Sequence, residues 1–325
     1  LERWKGMFYL CGAFTLAGTS VITAWFLNGK LGTFTITAAS LLLALLCMLP
    51  LCRKELVRTV RQLTFREWRL LFFQALLGMF LFRMLLLQGL LHTSTAEAGI
   101  LTGATPAFTV MLAFGFLKES ANSMKLAGIL STVAGIMIIQ GILTPGHAFE
   151  VQHLYGNLLV LCAACSESGF NLLSRIGSMQ RTASQNKAIH PMVQTTLVSV
   201  IALMLCLIPA WFENSLASLA ALELQEWLAL VWYGPIVTAL AFMLWYAGIK
   251  RCPVSTAAAF SGMMPFTALL LSVLVLKESA GWEQWCGGIL VILGMFLIGW
   301  HQAAINPLPQ QHSSEHGIID KVRIE

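Results

Sequence analysis

With 325 residues, 57% of them hydrophobic and only 11% charged, and a mean hydropathy of +0.76, the sequence all but excludes a water-soluble fold. Its net charge of +5 does not point to nucleic acid, because the basic residues sit in short loops between apolar runs, where they set membrane topology. Those runs are continuous and approach the roughly 20 residues a helix needs to cross a bilayer, which selects helices over a β-barrel built from alternating segments.

The first run, from about Met7 to Leu27, is too long for a signal-peptide core and has no convincing cleavage site, so it reads as the first membrane helix. Helices are then predicted in order over 6–27, 33–51, 69–90, 93–117, 124–143, 154–174, 189–212, 226–249, 254–276 and 283–301. Two junctions, near Leu91 and His92 and from Arg251 to Pro253, interrupt long apolar stretches almost without a break. Residues 302–325 form a polar cytoplasmic tail, and the part from Asn306 onward, with two prolines, reads as disordered. An amino terminus placed inside puts all 20 Lys and Arg residues on one side except Lys30, Lys277 and Arg83. Both termini are therefore expected in the cytoplasm. The outer loops carry Glu150, Glu213, Glu223, Glu226, Glu278 and Glu283, which bear little on orientation. The eight cysteines fall in helices or cytosolic loops and imply no disulfide framework; Cys162 and Cys165 share a helix face and read as small packing residues.

Sliding the chain on itself by 159 residues aligns Met84, Leu85 and Gly89 with Met243, Leu244 and Gly248, and Gly103 and Pro106 with Gly262 and Pro265. The register continues through Lys118-Glu119-Ser120-Ala121 against Lys277-Glu278-Ser279-Ala280, and through Gly128 and Gly135 against Gly287 and Gly294. An identical charged run at corresponding helix ends marks a true duplication. Each half, 6–143 and 154–301, has five helices, an odd number, so the second half must enter the membrane upside down. The expected fold is thus an all-α integral membrane protein of ten transmembrane helices in two inverted five-helix repeats. Many secondary transporters have this architecture, with a substrate site near the midplane between the halves.

These features resemble the EamA family of the drug/metabolite transporter superfamily. The resemblance covers about residues 6–301 and is most specific in Ala98–Glu119, with Pro106 and Leu117-Lys118-Glu119, and in Ala257–Glu278, with Pro265 and Leu276-Lys277-Glu278. It implies a multi-pass carrier of the bacterial inner membrane, usually an exporter of amino acids, metabolites or toxic compounds. Its central cavity would be walled mainly by helices 1, 3, 4, 6, 8 and 9. Gly12-Ala13-Phe14-Thr15 stands where such proteins commonly have Trp-Gly, and Glu167 where they often carry an apolar or aromatic residue.

Each ionisable group inside a bilayer costs roughly 2.5 to 3.5 kcal/mol on insertion scales and calls for a partner or a task. Arg83 and Glu97 lie at similar depths on either side of the third hairpin, so they are expected either to pair or to meet a charged or zwitterionic substrate. Glu167 has no cationic partner in the sequence. With Asn157, Ala164, Asn171 and Ser174 it makes a small, polar stripe on helix 6, where a carboxyl can bind a proton or a cationic solute or simply bond within the packing. Pro106 and Pro265 free the carbonyls of Thr102 and Ser261. Flanked by Gly103 and Gly262, these breaks read as hinges, as polar ligands, or as satisfied proline kinks. Trp232 and Tyr246, with Tyr233 and Trp245, are either interface anchors or a stacking wall of the cavity on helix 8.

No phosphate loop, zinc-protease motif or nucleophile elbow is present, and His147 with His153 is a weak metal signal, so neither metal nor cofactor is expected. The expectation is a secondary transporter, an exporter, moving a small polar or amphipathic metabolite such as an amino acid or derivative, or a drug-like compound, by alternating access. Its partners would be the lipid bilayer, the small-molecule substrate and protons; a monomer and a homodimer fit equally. The alternatives are a non-transporting structural or sensory subunit and a membrane-embedded enzyme, the latter opposed by loops short of catalytic groups.

Overall fold

The computed structural model describes residues 2–117, 123–139, 151–183, 189–213, 215–249, 260 and 263–305; the side chains of Pro106 and Tyr246 are not among those described. Ser261, Gly262, the Lys118-Glu119-Ser120-Ala121 run, His147 and the junction from Arg251 to Pro253 lie outside the described residues.

The described chain forms α1 (Glu2–Leu27), α2 (Thr33–Val60), α3 (Phe65–Ala75), a π-helical segment π1 (Leu76–Leu81), α4 (Phe82–Gly89), α5 (Thr95–Thr102), α6 (Thr105–Leu117) and α7 (Ser123–Ile139). The second half supplies α8 (Val151–Ala183), α9 (Pro191–Trp211), α10 (Ser215–Ala220), α11 (Leu224–Val231), π2 (Trp232–Leu240), α12 (Ala241–Ile249), α13 (Met263–Val275) and α14 (Trp282–Ile305). Among the described residues six stretches are long and apolar enough to cross a membrane: Trp4–Leu27, Thr33–Val60, Phe65–Gly89, His153–Ser174, Met192–Trp211 and Leu224–Trp245. Shorter apolar helices run over Leu126–Ile138, Met263–Val275 and Trp282–Leu297.

Local chemistry explains the boundaries. Gly29, at φ +82, turns the chain after α1, and the Asn28 amide donates to the Leu87 carbonyl at 2.9 Å, tying that turn to α4. Glu67 reaches back to accept the Thr64 N–H at 2.8 Å and starts α3. Ser94 accepts the Glu97 N–H at 3.1 Å and starts α5, so the chain divides at Leu90–Ser94 as hydropathy alone scarcely required. Three helices outrun their predicted ends: α2 continues from 51 to Val60, α8 from 174 to Ala183 and α14 from 301 to Ile305. Hydropathy falls where charged residues such as Arg53 and Lys54 leave the lipid, but those residues are good helix formers and the backbone carries on. Predicted helix 4 is instead broken in two, since α5 stops at Thr102 and α6 restarts at Thr105, with Pro106 in its first turn.

The two halves interleave rather than sit side by side. From the first half, α1 packs on α12 and α13, α2 on α9, α4 on α8, α5 on α13 and α7 on α14. The last pair makes the most extensive contact. A Cβ on Gly135 would stand 2.6 Å from the Gly287 carbonyl oxygen, and one on Gly294 would stand 2.6 Å from that of Gly128. The numbers rise on one helix as they fall on the other, so α7 and α14 run antiparallel, and the absent side chains let their backbones touch. A large apolar cluster, including Leu27, Ile36, Leu87, Leu101, Val160 and Leu230, fills the end of the bundle where α1 finishes and α2 and α5 begin.

Gly135→Leu and Gly294→Leu are expected to destabilise the protein by about 3 kcal/mol each, at the upper end of ordinary overpacking, because the clash is with backbone. Gly115→Leu, at a position with nothing within 4 Å of an added Cβ, should be neutral. Thermal unfolding of the three variants in detergent checks the ranking.

Candidate functional site

Arg83 and Glu97 do not pair. Arg83, 7% exposed, donates to Ser40 Oγ at 2.8 Å and to Thr238 Oγ1 at 2.6 Å, and its guanidinium carbon lies 4.8 Å from the centre of the Tyr233 ring. Glu97, also 7% exposed, is the third residue of α5 and turns toward α8 instead. There it accepts from the Asn157 amide at 2.7 Å and from Thr93 Oγ1 at 3.0 Å, with His153 Nδ1 at 3.4 Å. Thr93 Oγ1 also lies against the Asn157 amide oxygen, so its single hydrogen serves either that oxygen or Glu97. Counting along two helices does not fix the direction of each side chain around its helix, and the two residues turn to different neighbours.

Arg83 is set between two irregular segments. π1 ends just before it, and π2 supplies Tyr233 and Thr238, whose hydroxyl donates to the Tyr233 carbonyl five residues back at 3.0 Å. The 159-residue repeat carries Leu76–Leu81 onto Pro235–Leu240, so both halves interrupt their third helix at the corresponding place. Such wide turns are frequent at functional positions.

Glu167 sits on α8, half-buried, and finds a neutral partner in Thr105 Oγ1 at 2.9 Å. That hydroxyl lies 2.9 Å from the Thr102 carbonyl as well, the very carbonyl freed by Pro106. A hydroxyl has a single hydrogen. When Thr105 gives it to Thr102, the contact to Glu167 must be made by a protonated carboxyl; when Glu167 is ionised, it takes the hydrogen and leaves Thr102 O without it. Next to it, Ser168 Oγ contacts both the Thr105 carbonyl at 2.8 Å and the Ala164 carbonyl at 2.7 Å, pinning α8 to the break. Thr102 itself is 4% exposed and its own hydroxyl donates to the Gly99 carbonyl at 2.7 Å, so side chain and carbonyl are both engaged within the chain. A Cβ on Gly103 would meet Val291 at 2.7 Å, which makes this corner a tight packing point as well as a break.

The remaining sequence candidates are distributed around this centre. Asn171 is exposed on α8, on the face shared with Ala164 and Asn157, both of which are buried. Trp232 is 43% exposed and donates from Nε1 to Thr19 Oγ1 at 2.9 Å, which fastens π2 to α1 beside a lateral cavity of about 380 Å³ lined by Ile22, Phe26, Leu228 and Leu271. Pro265 is buried in the first turn of α13. No group of three His, Cys, Asp or Glu side chains able to hold a metal occurs among the described residues.

One feature of the site was not read from the sequence. At one end of the bundle, carboxylates of the second half close on helix starts of the first. Glu213, just beyond α9, accepts the Phe34 N–H at 3.2 Å, the Thr35 N–H at 2.8 Å and the Thr35 hydroxyl at 2.8 Å. Glu278 accepts the Thr95 and Ala96 N–H groups at 3.1 and 3.0 Å. Lys277, at φ 59, makes the left-handed turn that swings Glu278 there. Lys30 of the first half bonds Glu226 of the second, which holds the lysine above its ordinary value. The recurrence of Lys-Glu-Ser-Ala was the one available signal of this arrangement.

The sequence model of the EamA-like transporter family matches residues 4–141 and 154–300. The uncharacterized transporter YetK of Bacillus subtilis (strain 168) is 30% identical over 291 residues, covering 89% of this chain and 84% of the relative. The uncharacterized transporter YyaM of the same organism is 23% identical, with 75% and 76% covered. A solved structure described only as the crystal structure of a protein shares the fold at a TM-score of 0.57, with 20% identity and coverage of 93% and 99%.

Asn157→Leu removes the buried donor to Glu97 and is expected to destabilise the protein by about 2 kcal/mol, the cost of leaving a buried acceptor short of a partner. In the Glu97→Leu background the same substitution should cost markedly less, and a double-mutant cycle of unfolding in detergent measures the difference.

Proposed function

The chain belongs to the EamA-like transporter family, and from that premise we propose that it is a secondary transporter working by alternating access in the bacterial inner membrane. Its direction is export, and its cargo is a small polar or amphipathic solute such as an amino acid, a derivative of one, or a drug-like compound. The frame of this reading is ten membrane helices in two halves, 6–143 and 154–301, of opposite orientation, with 302–325 in the cytoplasm. Support for inversion comes from α7 and α14. The pairs Gly135 with Gly287 and Gly128 with Gly294 exchange under the 159-residue offset, and Ser131 Oγ donates at 2.7 Å to the carbonyl of Leu290, its own repeat mate. Contacts between equivalent positions are what a two-fold axis in the membrane plane produces.

The observation that carries the mechanism is the change of exposure along one face of α8. Asn157 and Ala164 are buried at the end gripped by Glu213 and Glu278, Glu167 is half-buried, and Asn171, one face-repeat further on, is exposed. A polar seam shut at one end and open at the other is one of the two states alternating access requires. Since nearly all the Lys and Arg residues flank the open end, that end is assigned to the cytoplasm. In this reading the cytoplasm-facing state takes up solute near Glu167. Release of the Glu213, Glu278 and Lys30 contacts then parts the halves on the outer side. Glu167 is the proton carrier, because its protonation decides whether Thr105 closes the α5–α6 break or leaves Thr102 O without a hydrogen.

In a background without native cysteines, Ala164→Cys is expected to resist a membrane-impermeant maleimide added to right-side-out vesicles. Adding Glu278→Gln should raise its labelling rate roughly tenfold, the effect of losing about 1.4 kcal/mol of differential hold on the closed face. An unchanged rate counts against release at that face. Glu167→Gln, which mimics the protonated form, should abolish pH-gradient-driven efflux while sparing expression; flux that keeps its pH dependence in this variant removes Glu167 from coupling. Comparing extracellular metabolites of cells expressing the wild type and Glu167→Ala identifies the exported solute, and identical profiles would contradict the transporter reading.

A further inference from the structure

We propose that Arg83 is the docking point for an anionic group, a carboxylate, on the transported solute; the inference rests on the transporter reading above. Arginine does not lose its charge inside proteins, and Arg83 is 93% buried by its 7% exposure. Its partners are nevertheless all neutral: two hydroxyls and the face of Tyr233. Among the described residues no carboxylate forms an ion pair with it, and the acids described above are engaged elsewhere. Glu97 is held by Asn157 and Thr93, Glu213 by the start of α2, Glu167 by Thr105 and Glu226 by Lys30.

The two hydroxyls behave as stand-ins for a stronger acceptor. Ser40 donates its hydrogen to the Thr37 carbonyl at 3.0 Å and Thr238 donates its own to the Tyr233 carbonyl at 3.0 Å, so each offers Arg83 only a neutral lone pair. A carboxylate accepts hydrogen bonds about twice as strongly, and it matches the guanidinium fork with two parallel bonds. Tyr233 supplies its ring face to the guanidinium.

The duplication separates what the fold needs from what this site adds. Moving 159 residues along the chain turns Ser40 into Ser199, Thr238 into Met79 and Arg83 into Phe242. At the corresponding corner Ser199 Oγ lies 3.5 Å from the Met79 sulfur, and Phe242 packs in an apolar cluster with Met79. The same framework therefore closes without a charge, and the cation is an addition of the first half. It also stands where the halves meet, bonded to Ser40 of one and Thr238 of the other. Parting the halves there withdraws Thr238 and Tyr233, while Ser40 stays beside Arg83 in the first half, and frees one arm of the guanidinium for an incoming anion.

The test uses the full chain purified in an uncharged detergent, its thermal unfolding followed with a panel of amino acids, their carboxamides and the corresponding decarboxylated amines. Carboxylates should shift the unfolding of the wild type at concentrations roughly tenfold to hundredfold lower than their amides, the span of a charged hydrogen bond. Arg83→Gln should abolish that preference, and Arg83→Lys should keep part of it. Equal shifts from acids and amides overturn the role of Arg83 while leaving a solute carrier intact, a comparison that needs no variant if Arg83→Gln fails to fold. Retention of the preference in Arg83→Gln, or no shift from any member of the panel, overturns it as well. Phosphatidylglycerol is the second probe: a shift from this lipid alone would assign the cation to a headgroup instead of a solute.

Discussion

The first N–H groups of a helix have no acceptor within it, and a membrane offers them none. In this protein those of α2 and α5 are answered by carboxylates that arrive from the other half, Glu213 and Glu278. The negative charge also meets the positive end of each helix dipole, so the bonds are stronger than neutral ones. Everything at that face depends on this exchange: the helix starts are buried, the apolar cluster lies beneath them, and the two halves are joined there by charged contacts.

A fastening of this kind suits a machine better than an apolar seal would. Packed hydrocarbon between halves has no alternative partner when it separates, whereas a carboxylate and a row of N–H groups at the membrane surface can both turn to water. The antiparallel α7 and α14 do the opposite work. Their glycines bring two backbones into contact along a seam without charged groups, and in the proposed mechanism they are the fixed element against which the other helices move. The charged groups deeper in the bundle occupy the region between these extremes, Arg83 with neutral partners and Glu167 with a single hydroxyl shared with a helix break.

Much of this was legible in the residues, and what was not has identifiable causes. Continuous apolar runs placed the helices, but not their ends, because α2 and α8 carry on through residues that hydropathy scores as loop. Gly128, Gly135, Gly287 and Gly294 stood out as a repeat marker, yet only packing reveals that they touch one another. Counting along the helices set Arg83 and Glu97 at similar depths, but azimuth depends on how each helix is rotated by its neighbours, and Asn157 and Ser40 claimed them separately. Pro106 was visible as a break, whereas its repair by Thr105 required the return of α8 beside it. π1 has no proline, and its wide turn belongs to no local residue preference.

The central claim is that the two faces of the bundle open in alternation. Double electron–electron resonance between spin labels at His92 and Ala220 on the fastened face, and between labels at Gln62 and His190 on the other, measures both openings in one sample type. On passing from the wild-type fastenings to Glu278→Gln, the first distance should lengthen as the second shortens. Two distances that lengthen together, or that both stay fixed, would contradict the account.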